Sequence, residues 1–163
     1  MELRRRHNFR RILTVVYVLA FAVYIIVGLQ PAEATHYSVS GNLTIPSIGL
    51  SSDITTLELS DHRLNTPDTI VGSYNKYANR TLLIGHSSTV FNNLHNVAVD
   101  DYIVYNNADY LVTDIKTLPK DKINMDLLLM PLKDESVVIM TCAGESIGEK
   151  DATHRLIVTA IRA

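Results

Sequence analysis

The chain has 163 residues, 47% of them apolar, with seven Gly, five Pro, no Trp and one Cys. That length holds about one domain, large enough to bury a core unaided, and a single Cys excludes an internal disulfide framework and any multi-Cys zinc or iron–sulfur site. The net charge of −2 hides an asymmetry: Arg4, Arg5, Arg6, Arg10 and Arg11 lie in the first eleven positions, leaving ten basic against sixteen acidic residues in the remainder. A basic nucleic-acid-binding domain is excluded on that balance, and no nucleic-acid partner is expected.

After the basic segment 1–11, residues 12–29 (ILTVVYVLAFAVYIIVGL) carry no charge and are apolar all round. Eighteen residues of helix span roughly 27 Å, close to the thickness of a bilayer core. A buried core helix would keep a polar face, so the segment is expected to be a single transmembrane anchor. The Arg cluster before it holds the amino terminus in the cytoplasm and puts the rest of the chain outside. Ala32-Glu33-Ala34 also resembles a signal-peptide cleavage site, which leaves a cleaved signal as the alternative to an uncleaved anchor. Residues 30–41 read as a linker or the opening strand of the next domain.

From residue 42 to 163 the pattern is short and strand-like. The runs 43–50 (LTIPSIGL), 52–59 (SDITTLEL), 80–86 (RTLLIGH), 101–105 (DYIVY), 109–115 (DYLVTDI), 136–142 (SVVIMTC) and 155–161 (RLIVTAI) are rich in Val, Ile, Thr, Tyr and Leu. Turn-prone clusters at 64–68 and 106–109 separate them. Only 90–97 and 122–132 suit helices, and Pro131 would end the second. About seven strands in this length predict an all-β domain, a closed barrel or a sandwich.

Cys142 ends the apolar run 137–140 and precedes Ala143-Gly144, where a buried strand meets a loop. A lone thiol outside the cytoplasm is a liability unless it is packed away or used. Use as a nucleophile requires a base. His7 falls on the cytoplasmic side, His36 and His62 lie in linker or loop sequence, and His95 reads as a helix-surface residue. His86 follows Leu82-Leu83-Ile84-Gly85 and so also leaves a strand. His154, beside Arg155, is its rival. Cys142, His86 and Arg155 would supply a thiolate, a proton carrier and a cation for an oxyanion.

At these residues the sequence resembles the sortases, cysteine transpeptidases of bacterial cell surfaces. The match runs through TLLIGHSS with His86, VFNNLHNV, DYIVY, VVIMTCAG with Thr141 and Cys142, and RLIVTAIRA with Arg155, with LTIPSIGL as a first barrel strand. The resemblance implies an eight-stranded closed β-barrel with one or two short helices, and His86, Cys142 and Arg155 converging at one end of a groove. It implies that Cys142 attacks a sorting signal resembling Leu-Pro-X-Thr-Gly at the Thr–Gly bond, forming a thioester. An amine of a cell-wall precursor or a pilin Lys then releases the surface protein. Thr141 is a weaker substrate-binding candidate. No cofactor is implied, and the carboxylates of the calcium site of some relatives have no counterpart. Two departures stand out: Asp100 takes a position where many relatives have Gly, and the connection 117–135, where specificity is usually set, is compact.

Gly144-Glu145-Ser146-Ile147-Gly148 matches a serine nucleophile elbow, but the short remainder of the chain after Gly148 reads as a strand, not the required helix. Two rival readings stay open at this level: a cysteine peptidase acting on wall peptides, and a non-catalytic, membrane-tethered β-domain binding a surface partner.

Overall fold

The computed structural model describes residues 37–61, 63–144 and 152–163. The basic segment, the expected membrane anchor, most of the linker, His7, His36, His62 and all of the serine elbow except Gly144 lie outside the described residues.

Ten strands are described: β1 (Val39–Ile45), β2 (Leu50–Thr56), β3 (Leu59–Ser60), β4 (Arg63–Leu64), β5 (Val71–Tyr77), β6 (Arg80–Ile84), β7 (Tyr102–Tyr105), β8 (Ala108–Pro119), β9 (Ser136–Ala143) and β10 (His154–Arg162). Eight of them close into a barrel in the order β1-β2-β5-β6-β9-β10-β8-β7, with β1 returning to pair β7. Closure leaves no open sheet edge. The pairs β2/β5 and β6/β9 are parallel and the others antiparallel. The short β3–β4 hairpin stands apart as its own two-stranded sheet.

Local chemistry sets the breaks. The run 43–50 is not one strand. Pro46 has no N–H to donate to a ladder; it opens a 3₁₀ turn, Pro46–Ile48, and Gly49, at φ 65°, donates its N–H to the Pro46 carbonyl at 3.1 Å. The run 52–59 likewise stops at Thr56. β1 opens three residues before position 42, within the stretch read as linker or opening strand. Asn106 and Asn107, at φ 50° and 62°, turn β7 into β8, a conformation that Asn tolerates better than most residues. Asp100 is also left-handed, at φ 72°, which gives the physical meaning of its standing where Gly is common.

The expected helices are shorter than their sequence pattern. Within 90–97 only Leu94–Asn96 is helical, and it is 3₁₀. Within 122–132 there is one α-helical turn, Met125–Leu128, whose N-cap Asn124 accepts from the N–H groups of Asp126 and Leu127.

Two apolar clusters lie back to back across the barrel wall. Inside are Leu83 of β6, Val137 and Ile139 of β9, and Leu156, Val158 and Ala160 of β10, packed with Phe91, Leu94 and Tyr110. Outside, Leu82 and Ile84 of β6, Val138 and Met140 of β9 and Ile157 of β10 pack under Met125, Leu128 and Leu129. These three strands are therefore apolar on both faces, at about 1.5–3 kcal/mol for each fully buried large side chain.

Candidate active site

The alternation of side chains along a strand decides which residues meet. On β6 the outward positions are Leu82 and Ile84, so two residues on His86 keeps that phase. On β9 they are Val138 and Met140, followed by Cys142. On β10 Ile157 faces out, and so does Arg155, two residues before it. Register completes the alignment: Arg155 is paired with Cys142, and Ile84 with Met140, each two residues short of His86 and Cys142. Strands β9 and β10 and the exit of β6, neighbours about 4.8 Å apart, thus bring Cys142, Arg155 and His86 into one row at one end of the barrel wall. All three are half-buried.

Backbone contacts fix each member. Gly85 precedes His86, and the chain folds back immediately: the amides of Thr89 and Phe91 both donate to the His86 carbonyl, at 3.3 and 3.0 Å. A Cβ at position 85 would lie 2.5 Å from Val90 Cγ1 and 2.8 Å from Phe91 Cδ2, so only Gly allows this approach. Thr141, 4% exposed, donates its hydroxyl to the Gly85 carbonyl at 2.8 Å. That bond ties β6 to β9 one residue before His86 and Cys142. The Arg155 Nη1 donates to the carbonyls of His154 (2.8 Å) and Ala152 (3.2 Å), which orients the guanidinium.

The row ends a groove of about 840 Å³. Tyr74, Ile84 and Met140 contribute apolar lining. One wall comes from Leu59, Arg63, Leu64, Asn65 and Thr66 and the other from Lys120, Met125, Asp126 and Leu129. The second wall is fastened from the β5–β6 hairpin. Lys76 pairs with Asp126 at 2.5 Å, Asn79 Nδ2 donates to the Leu132 carbonyl at 2.5 Å, and the buried Arg80 donates Nε to the Leu128 carbonyl at 2.7 Å. Burial lowers the pKa of Arg80, and the hydrogen bond that Lys76 donates to Asp126 raises that of Lys76. Arg63, Lys76, Lys120 and Arg155 face the groove against Asp126 alone among the described carboxylates.

The sequence missed Asp68. Its Oδ1 lies 3.9 Å from His86 Nε2, and its own carbonyl accepts from Thr89 Oγ1 at 2.7 Å, which ties this loop to the turn after His86. It stands eighteen positions upstream in a turn cluster, with no spacing to mark it. His154 bonds through Nδ1 to Thr153 Oγ1 at 2.8 Å and does not line the groove. His95 is exposed and also lies outside the groove.

No curated protein sequence matches the chain. Solved structures do. Sortase C-1 from Actinomyces oris is 25% identical, with a TM-score of 0.59 over 77% of this chain and 72% of its own. Sortase A from Listeria monocytogenes is 18% identical, with a TM-score of 0.60 over 77% and 87%. The pilus-related sortase C of Group B Streptococcus is 21% identical, with a TM-score of 0.58 over 82% and 77%. The family model described as the sortase domain matches residues 43–163, from within β1 to the end of the chain. A closed barrel that aligns a thiol, an imidazole and a guanidinium at the head of one groove therefore has its family in both sequence and fold: the chain belongs to the sortases, cysteine transpeptidases.

Proposed function

We propose that this chain is a membrane-anchored transpeptidase that cleaves a sorting signal resembling Leu-Pro-X-Thr-Gly and transfers the surface protein to an amine, with Cys142 as nucleophile, His86 as proton carrier and Arg155 as oxyanion or backbone donor. The observation that carries this reading is the row of three side chains at the ends of adjacent strands, lining one groove of about 840 Å³.

In the first half-reaction the Cys142 thiolate adds to the Thr carbonyl carbon, and the developing oxyanion receives N–H bonds from Arg155. The C–N bond breaks as the His86 imidazolium gives its proton to the departing amine. What remains is a thioester and a neutral imidazole. In the second half-reaction an amine adds to the thioester carbon, His86 takes its proton, and the C–S bond breaks to return the thiolate. Asp68, with Oδ1 3.9 Å from His86 Nε2, stands beside the ring. The acceptor is an amine of a cell-wall precursor or a pilin Lys. The uncharged run 12–29 after the Arg cluster sets the catalytic domain outside a single-pass anchor.

Incubation of the full chain in detergent with a library of sorting-signal peptides and an amine tests the chemistry. A thioester detectable by mass spectrometry is expected, and Cys142→Ala should abolish both it and the cleavage while the melting temperature holds. Turnover retained by Cys142→Ala would exclude the mechanism. His86→Ala should cost on the order of 10² to 10⁴ in rate; an equal loss from His154→Ala alone would move the proton carrier there. Protease added to spheroplasts should degrade the domain, and full protection would overturn the topology.

A further inference from the structure

After position 11 the chain is acidic, with ten basic against sixteen acidic residues, yet its groove is basic. Four of those ten basic residues (Arg63, Lys76, Lys120 and Arg155) line the groove, and among the described carboxylates only Asp126 does. Two of the four have a task already: Lys76 pairs with Asp126 at 2.5 Å, and Arg155, paired in register with Cys142, belongs to the reacting row. Arg63 and Lys120 remain. They stand on opposite walls, both exposed, and neither makes an ion pair with a carboxylate of the described residues. Asp68 stands beside His86 and does not line the groove.

Register fixes the level of Lys120 along the groove. Leu118 of β8 is paired with Arg155, and Arg155 with Cys142, so the three form one rung across β8, β10 and β9. Leu118 packs against the outer apolar cluster, and Lys120, two residues on, lines the groove on that same outer side. Its amide donates to the Thr153 carbonyl at 2.8 Å, which holds it at the end of β10 where Arg155 lies. Two strand spacings put its backbone roughly 10 Å to the side of Cys142. Lys76 lies far from this level, beside the Arg80–Thr81 end of β6 rather than the His86 end. A peptide whose Thr carbonyl is at Cys142 advances about 3.3 Å per residue, so the residue before the Thr is the one level with Lys120, and earlier residues run on toward the Lys76–Asp126 pair.

Resting on the transpeptidase reading above, we propose that this groove selects sorting signals with a carboxylate at X of Leu-Pro-X-Thr-Gly, and that Arg63 and Lys120 are the specificity-determining residues. The Glu or Asp side chain at X accepts charge-assisted N–H bonds from the Arg63 guanidinium on one wall and the Lys120 ammonium on the other. An uncharged X leaves two like charges facing each other across the bound peptide, and a Lys at X adds a third. Neither residue takes part in bond making, which stays with Cys142, His86 and Arg155.

The test compares peptides that differ only at X (Glu, Gln or Lys), cleaved by the full chain in detergent. The kcat/KM for Glu should exceed that for Gln about tenfold, with Lys poorer still, and the ratio should shrink toward one as salt is raised. Arg63→Gln and Lys120→Gln, both at exposed positions, should each reduce the Glu-to-Gln ratio to about threefold and together abolish it, and Lys120→Glu should turn the preference toward Lys. Lys122→Gln, which removes a nearby cation that pairs with Asp121 and does not line the groove, is the control and should keep the wild-type ratio. Equal rates on the Glu and Gln peptides, or a preference that survives the double substitution, would overturn this inference and leave the transpeptidase reading standing. A wild-type chain that forms no thioester with any of the peptides would remove that reading and this inference with it.

Discussion

Thr141→Val exchanges a hydroxyl for a methyl at nearly constant volume, at a position where the hydroxyl bonds the Gly85 carbonyl at 2.8 Å with both residues buried. A net hydrogen bond is worth about 1 kcal/mol, and a buried carbonyl left without its partner costs about 1–3 kcal/mol. The added methyl recovers up to about 0.8 kcal/mol. The expected loss is about 1–2 kcal/mol, or roughly 4–8 °C in melting temperature for a folded unit of this size. The larger effect falls on rate. The bond sets the spacing of β6 and β9 one residue before His86 and Cys142, and a misplacement of about 1 Å between reacting groups costs on the order of 10². Steady-state kinetics on a sorting-signal peptide should show kcat down by about 10- to 100-fold with KM nearly unchanged, because the groove keeps its shape. Thr141→Ser keeps the donor and should restore most of kcat. Unchanged melting with a raised KM would refute this reasoning and return Thr141 to the substrate-binding role that the sequence suggested.

Arg155→Lys keeps the charge but loses the planar fork, and should reduce kcat by about 10² to 10³; Arg162→Lys, at the far end of β10 in an ion pair with Glu135, is the control and should leave kcat within twofold. Equal losses would deny Arg155 a special place. Gly85→Ala forces a Cβ against Val90 and the buried Phe91 and should cost about 1–3 kcal/mol by denaturant titration, with kcat falling further as His86 shifts; wild-type stability and rate would show the turn to be pliant. Bonds from Tyr110 and then Arg162 hold the Glu135 pKa below its ordinary value of 4.5, while burial pushes the Tyr110 phenol well above its own. With the folded pKa lowered, the stability Glu135 supplies is present above the ordinary value and lost as pH falls through the folded one. Glu135→Gln should flatten that acid limb in thermal melts, and a limb unchanged in shape would exclude the linkage.

Legibility in the sequence tracks the burial of each strand. β6, β9 and β10 are apolar on both faces, so 80–86, 136–142 and 155–161 read as near-continuous runs whose ends carry His86, Cys142 and Arg155. β5 was not legible. Its first three residues are buried, but Gly72 and Ser73 carry no hydrophobic signal, and from Tyr74 onward the strand faces the groove and solvent. Without β5 the count stops short of a closed barrel, and the eight strands came from the family resemblance alone. The parallel pairing of β6 with β9, which brings residues 56 positions apart into one site, is set by tertiary order that no local period encodes. Asp68 was hidden for the same reason. Asn79-Arg80-Thr81 matches a glycosylation sequon by pattern, yet Asn79 and Arg80 are committed to the wall of the groove.

That fastening of the wall constrains any exchange of specificity between relatives. The connection from Lys120 to Glu135 looks like a self-contained cassette, but its helical turn and the chain after it are held by Lys76, Asn79 and Arg80, which belong to a different hairpin more than forty positions upstream. A graft that moves the connection alone would arrive without the three side chains that hold its shape, and the peptide would then have to order the wall as it binds, at a cost in affinity. The transplantable unit is the hairpin and the connection together, two segments distant in sequence that act as a single recognition element.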